Sequence, residues 1–349
     1  MKFSYDKQRY IPKGPMEEED DYDIIPGELF EKRKTSKSKE LPFTYRCQNT
    51  IKNFDSEITC LIYLRTAKLI ALTTLTPNIE LWKFDKKDVD MNIVSILTGH
   101  FKGIICLKEF LNLNCIASCS LDNTLKLWDI SKKECIKTLN YYSKSIATCS
   151  YKPSQGMEIF TGGDNMEIVV WADAKYNFNY KPKIKILAHK KSINKLFYVD
   201  DFNLLVSGGK DNCLCFFDCH NNYACVNTIE FGSYIYCLRY YKKRLVVSCA
   251  DGNIVFINLN ILRVCKSVQF GNTGVCDFNL IEEQYLLMGC EDGKARIWKF
   301  CTEYRALLKG HKKAVIGIVV IDANQNYIIT ASKDCTLKLW EKYLNYDYE

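Results

Sequence analysis

The strongest constraint on this chain is a spacing. It holds five tryptophans, and all five fall in one recurring strand-like context, typified by LKLWDI at 125–130. Aligned on that strand, Trp82, Trp128, Trp171, Phe217, Ile257, Trp298 and Trp340 follow one another at intervals of 46, 43, 46, 40, 41 and 42 residues. The stretch 99–130 shows one unit in full: a Gly-His pair, the apolar runs GIICLKEF and CIASCS, the turn LDNT and then the tryptophan strand. The same order returns at 310–340.

Short apolar runs separated by Asp, Asn, Gly and Lys read as strands and turns, and no long helical period appears after residue 40. A period of about 40–45 residues with four strands per unit marks a β-propeller. Seven units are expected, at 55–97, 98–140, 141–187, 188–230, 231–270, 271–308 and 309–345. On these residues the chain resembles the WD40-repeat proteins over about 43–345. The Trp-Asp pair that names the family stands intact only as Trp128-Asp129, with Lys83, Ala172, Lys299 or Glu341 in place of the Asp elsewhere.

The last unit ends too soon after Trp340 for a fourth strand, whereas residues 45–51 look like a lone outer strand in the register of 133–139. An open ring would leave an unpaired sheet edge. The resemblance therefore implies that residues 43–52 close an all-β, seven-bladed propeller spanning 41–349. Residues 1–40 read as a charged, disordered or extended tail: an acidic cluster from Glu17 to Asp23 precedes a basic run from Lys32 to Lys39, and such blocks do not fold alone. The basic run has the composition of a nuclear localisation signal or of a solvated linker, and the sequence does not separate the two.

Three of the four histidines, His100, His189 and His311, begin units. Each is followed by a hydroxyl (Ser118, Ser207, Thr330) and an Asp (Asp122, Asp211, Asp334), then by Trp128, Phe217 or Trp340. Ser, His and Asp in one unit suggest a hydrolase, but an indole N–H, a hydroxyl, an imidazole and a carboxylate also satisfy one another as a chain of hydrogen bonds. The resemblance implies this bracing tetrad. Blades 2 and 7 carry it complete, while blade 1, with Thr76 in place of the Asp, and blades 3 and 5 are expected to rely mainly on packing.

Eighteen cysteines, with no apolar leader at the N-terminus, read as reduced thiols in the cytoplasm or nucleus. Cys60, Cys106 and Cys237 share one small, buried position in three units. The cluster Cys213, Cys215, Cys219, His220 and Cys225 lacks convergent tetrahedral spacing, so no metal and no cofactor is expected. No phosphate loop, nucleophile elbow, metal helix or dinucleotide fingerprint occurs, which speaks against an enzyme.

The loops leading into each unit carry Phe101, Lys102, Tyr141, Tyr142, Lys144, Lys190, Lys191, Tyr234, Lys312 and Lys313, and the Asp turns add Lys210 and Lys333. Aromatics flanked by lysines suit an extended, acidic protein segment. The expected function is a non-catalytic scaffold or adaptor within a multiprotein assembly. The alternatives are a substrate-receptor subunit of a ubiquitin ligase, or RNA binding through the same face.

Overall fold

The computed structural model describes residues 8–9, 41, 43–51, 54–140, 143–153, 158–173, 178–281, 284–300, 305–321 and 325–344. Strands dominate throughout, because runs such as CIASCS and LLVSGG bury every side chain, whereas outer runs such as RVCKSVQ alternate between half-buried and exposed. The strands form seven sheets, each built on four antiparallel strands; six follow the chain as meanders and the seventh is completed by a strand from near the start of the chain. Blade 2 is typical, with strands Ile104–Phe110, Cys115–Ser120, Thr124–Asp129 and Glu134–Asn140.

The first strands of blades 1 to 7 are Ile58–Leu64, Ile104–Phe110, Ile146–Lys152, Ile193–Val199, Ile235–Tyr241, Val275–Ile281 and Val315–Val320. Each touches the first strand of both neighbours, and blade 7 touches blade 1, so the ring is closed. The core lies between blades. One cluster joins Cys115, Leu127 and Trp171 across blades 2 and 3, and another joins Phe160, Leu196 and Phe217 across blades 3 and 4. Small residues permit this approach: a Cβ on Gly162 would lie 3.0 Å from the Ile193 side chain, and one on Gly208 2.8 Å from Ile235.

Every first strand shifts register just after it begins, as at Ile104/Cys106 and Val275/Asp277. The residue after the shift reaches the next blade. Cys60 Sγ accepts from Leu107 N at 3.3 Å, Thr148 Oγ1 from Leu196 N at 3.1 Å and Asp277 Oδ2 from Ile318 N at 3.1 Å. These bonds satisfy backbone donors that no ladder partner meets.

Closure follows the expectation from the sequence. Phe43–Ile51 pairs antiparallel with Thr336–Leu344, from Phe43 opposite Leu344 to Ile51 opposite Leu337. Phe43 packs edge-on against Tyr285 at 4.9 Å, and Lys342 lies 4.3 Å above the Phe43 ring. The tail lies outside the described residues except for the backbone of Gln8–Arg9, which pairs parallel with Ile229 and Glu230 on the outer edge of blade 4. Among the described residues no helix is long and apolar enough to cross a membrane.

Candidate functional site

The site is built on the bracing beneath the loops. In blade 2, His100 Nδ1 lies 2.7 Å from Asp122 Oδ2, His100 Nε2 lies 2.7 Å from Ser118 Oγ, and Trp128 Nε1 donates to that hydroxyl at 2.8 Å. With a neutral ring the bonds run one way: indole to hydroxyl, hydroxyl to Nε2, and Nδ1–H to carboxylate. Blade 7 repeats the arrangement, with His311 3.1 Å from Asp334, 2.8 Å from Thr330, and Trp340 2.9 Å from Thr330. In blade 4, His189 meets Asp211 at 2.9 Å and Ser207 at 2.7 Å, but Phe217 ends the chain without a donor.

Each Asp also fixes the incoming loop, accepting from the backbone N–H of Phe101 at 3.0 Å, Lys190 at 2.8 Å or Lys312 at 2.8 Å. Burial alone would raise the Asp122 pKa, but donation from Thr124, Phe101 N and His100 outweighs it and holds the carboxyl at about 2. Burial lowers the pKa of His100 and of His311. These imidazoles are neutral struts whose two nitrogens are both engaged, which leaves no proton-accepting atom facing solvent.

Where the tetrad is incomplete, polar contacts stand beside the apolar packing of blades 1, 3 and 5. Trp82 donates to Glu80 Oε2 at 3.0 Å in blade 1. Trp171 donates to Thr161 at 2.8 Å in blade 3, where Asp164 accepts from both Ser145 and Ser192 and so ties blade 3 to blade 4. The hydroxyls of Ser145 and Ser192 hold the Asp164 carboxyl below the usual range. In blade 6, Asp292 is held by Arg296 Nη1 at 2.8 Å, and in blade 5 Asp251 by Asn253 Nδ2 at 2.8 Å. Glu80, Asp164 and Arg296 lie off the aligned positions, so spacing did not single them out.

Three family-model matches, described as "WD domain, G-beta repeat", cover residues 91–129, 181–218 and 302–341, each ending on or just after a residue of the tryptophan ladder. With seven four-stranded blades and this bracing in place, the family is settled. The chain belongs to the WD40-repeat proteins. It is similar to Denticleless protein homolog of Danio rerio, 23% identical over 304 residues, which are 74% of this chain and 47% of the relative. It is also 20% identical over 309 residues to WD repeat-containing protein 26 homolog of Arabidopsis thaliana, covering 83% of this chain and 49% of that one. A shorter match, 44% over 62 residues, reaches the ribosome biogenesis protein WDR12 homolog of Trichoplax adhaerens, covering 17% of this chain and 14% of that protein. The chain spans half or less of the length of these relatives.

The loop face of this WD40 propeller is polarised. Lys102, Lys144, Lys190, Lys191, Lys210, Lys312, Lys313 and Lys333 are all exposed. They come from blades 7, 2, 3 and 4, while the loop entering blade 1 carries Asp55 and Glu57, the latter 3.1 Å from Lys313 Nζ. Phe101, on the loop entering blade 2, is 87% exposed, with Leu75 at 49% and Leu121 at 38% on the adjoining turns of blades 1 and 2. Blades 5 and 6 turn Asp251, Glu291 and Asp292 toward the same face, beside Tyr234, which is 45% exposed. Tyr141 and Tyr142 lie outside the described residues. Leu75 and Leu121 were missed from sequence because they hold turn positions filled by Asp164, Lys210 or Lys333 in other blades.

The thiols around residue 220 do not converge on a metal geometry. Cys213 Sγ faces Asp211 O at 3.6 Å, Cys215 Sγ faces Ala188 O at 3.6 Å, and Cys225 Sγ faces Asn227 O at 3.5 Å, while His220 is exposed.

Proposed function

We propose that this WD40 propeller is a non-catalytic interaction platform, and that an extended acidic protein segment lies along its basic loops with an apolar side chain seated against Phe101. The observation that carries the reading is Phe101 itself. A phenylalanine 87% exposed, on a loop fixed to Asp122 through its own backbone N–H, is a preorganised anchor rather than a core residue. The lysines on either side steer an acidic partner and set its register, and the acids of blades 5 and 6 discourage binding the other way round the ring.

A scaffold role fits the bracing, since each Ser-His-Asp set is committed to holding a loop. The seventeen cysteines of the described residues form no disulfide, which suits a reducing compartment, cytoplasm or nucleus.

The test is fluorescence anisotropy with a labelled acidic peptide carrying a central leucine. Phe101→Ala, and separately Lys190→Glu with Lys191→Glu, should each weaken binding by ~10-fold or more. Lys181→Glu, on the exposed outer strand of blade 3, should leave it unchanged. Equal binding by all variants, or preferential capture of single-stranded RNA with a steep salt dependence, would overturn the reading.

A further inference from the structure

The junction of blades 2 and 3 differs from the other six. At each junction three positions meet: the residue after the register shift of a first strand, its partner on the second strand, and a first-strand residue of the next blade. In six of the seven junctions the third position holds a large apolar side chain, Leu61, Leu107, Leu196, Leu238, Phe278 or Ile318. Between blades 2 and 3 all three are cysteine. Cys106 stands opposite Cys119 in the ladder, and Cys149 comes from the next blade. Their three Sγ atoms lie within 4.8 Å of one another.

Several observations point from this convergence to a ligand. Cys119 and Cys149 are 0% and 1% exposed, whereas Cys106 is only half-buried. No further Cys, His, Asp or Glu joins the group among the described residues.

We propose that Cys106, Cys119 and Cys149 form a three-coordinate site for a soft monovalent cation, Cu(I). Three sulfurs without a fourth ligand suit a trigonal thiolate ion and do not complete the tetrahedral shell of structural Zn²⁺. On binding, three S–H bonds ionise, their protons pass to solvent, and three sulfur–metal bonds form with no change of oxidation state. The resulting centre carries two negative charges, which the ammonium groups of Lys108 and Lys195 offset. It would clamp two blades together at a point where the others rely on a buried Leu, Ile or Phe.

The experiment titrates the reduced full chain with Cu(I), anaerobically, against a coloured Cu(I) chelator. One equivalent should be withdrawn from the chelator, with X-ray absorption showing three sulfur neighbours. The triple variant Cys106→Thr, Cys119→Ala, Cys149→Leu should lose that equivalent and keep its far-ultraviolet circular dichroism. Each replacement is a residue already found at the same position elsewhere, in Thr148, Ala331 and Leu107, so the fold tolerates it. A single Cys149→Leu change should weaken Cu(I) by more than the ~10–100-fold that losing a mere supporting group brings. Cys213→Ser with Cys225→Ser should change nothing. Retention of the equivalent by the triple variant, its absence from the unaltered chain, or displacement by one equivalent of Zn²⁺ with four ligands would each refute the site.

Discussion

Trp82 donates its indole N–H to Glu80 two residues earlier on the same strand, at 3.0 Å, so blade 1 answers its tryptophan with a carboxylate where blades 2, 3 and 7 use a hydroxyl. Burial raises the Glu80 pKa, and the Trp82 bond opposes that rise only in part. A raised acid pKa means that the unfolded chain ionises first as pH climbs, so this group costs stability at neutral pH. Glu80→Gln keeps the acceptor and removes the charge, and denaturant unfolding should show it at least as stable as the unaltered protein. Trp82→Phe strands the carboxylate and should cost ~1–3 kcal/mol in the same measurement.

Asp122 accepts from His100, Thr124 and the Phe101 backbone, so Asp122→Ala leaves several donors in blade 2 unmet. The expected loss is ~1–3 kcal/mol, visible as a lowered Tm. Trp128→Phe should cost less than Asp122→Ala, because blade 4 already carries Phe217 at the same place, fully packed with 3% exposure. A larger loss for the tryptophan change would mean that packing, not the polar chain, holds the blade.

Acid should unfold the protein in two stages. His100 and His311 have lowered pKa values in the fold, so on acidification the unfolded chain takes up protons first, and stability falls as pH drops below ~6.5. The depressed pKa of Asp122 adds stability at higher pH that is lost as pH falls from ~4 toward about 2. Guanidinium midpoints measured from about pH 8 down to about pH 3 should decline in both windows.

Removing residues 1–52 takes away the partner of Thr336–Leu344 and uncovers a long strand edge in blade 7. The truncated protein should aggregate or melt well below the full chain, as read by light scattering and calorimetry. A monomeric product with an unchanged Tm would show that the ring closes without this strand.

Much of the fold was legible because one bulky residue must recur wherever a blade packs on its neighbour, and the ladder from Trp82 to Trp340 records that demand directly. The tetrads were legible for the same reason, since His100, Ser118 and Asp122 recur at fixed offsets. Glu80, Asp164 and Arg296 were hidden because a charged side chain in a strand or turn looks solvated until its partner is placed beside it. The Cys106, Cys119 and Cys149 convergence was hidden more deeply, as it depends on how one blade's first strand meets the next blade's.

The pairing of Phe43–Ile51 with Thr336–Leu344 also sets an order of events during synthesis. The earlier strand leaves the ribosome some 285 residues before its partner exists, a wait on the order of 15–60 s at ~5–20 residues per second. Throughout that interval Phe43 and Tyr45, both buried in the finished ring, face water or whatever chain or chaperone is nearest. The sheet of blade 7 is therefore begun by a strand made long before its partner, and each new molecule must shelter Phe43–Ile51 until Thr336–Leu344 has been made.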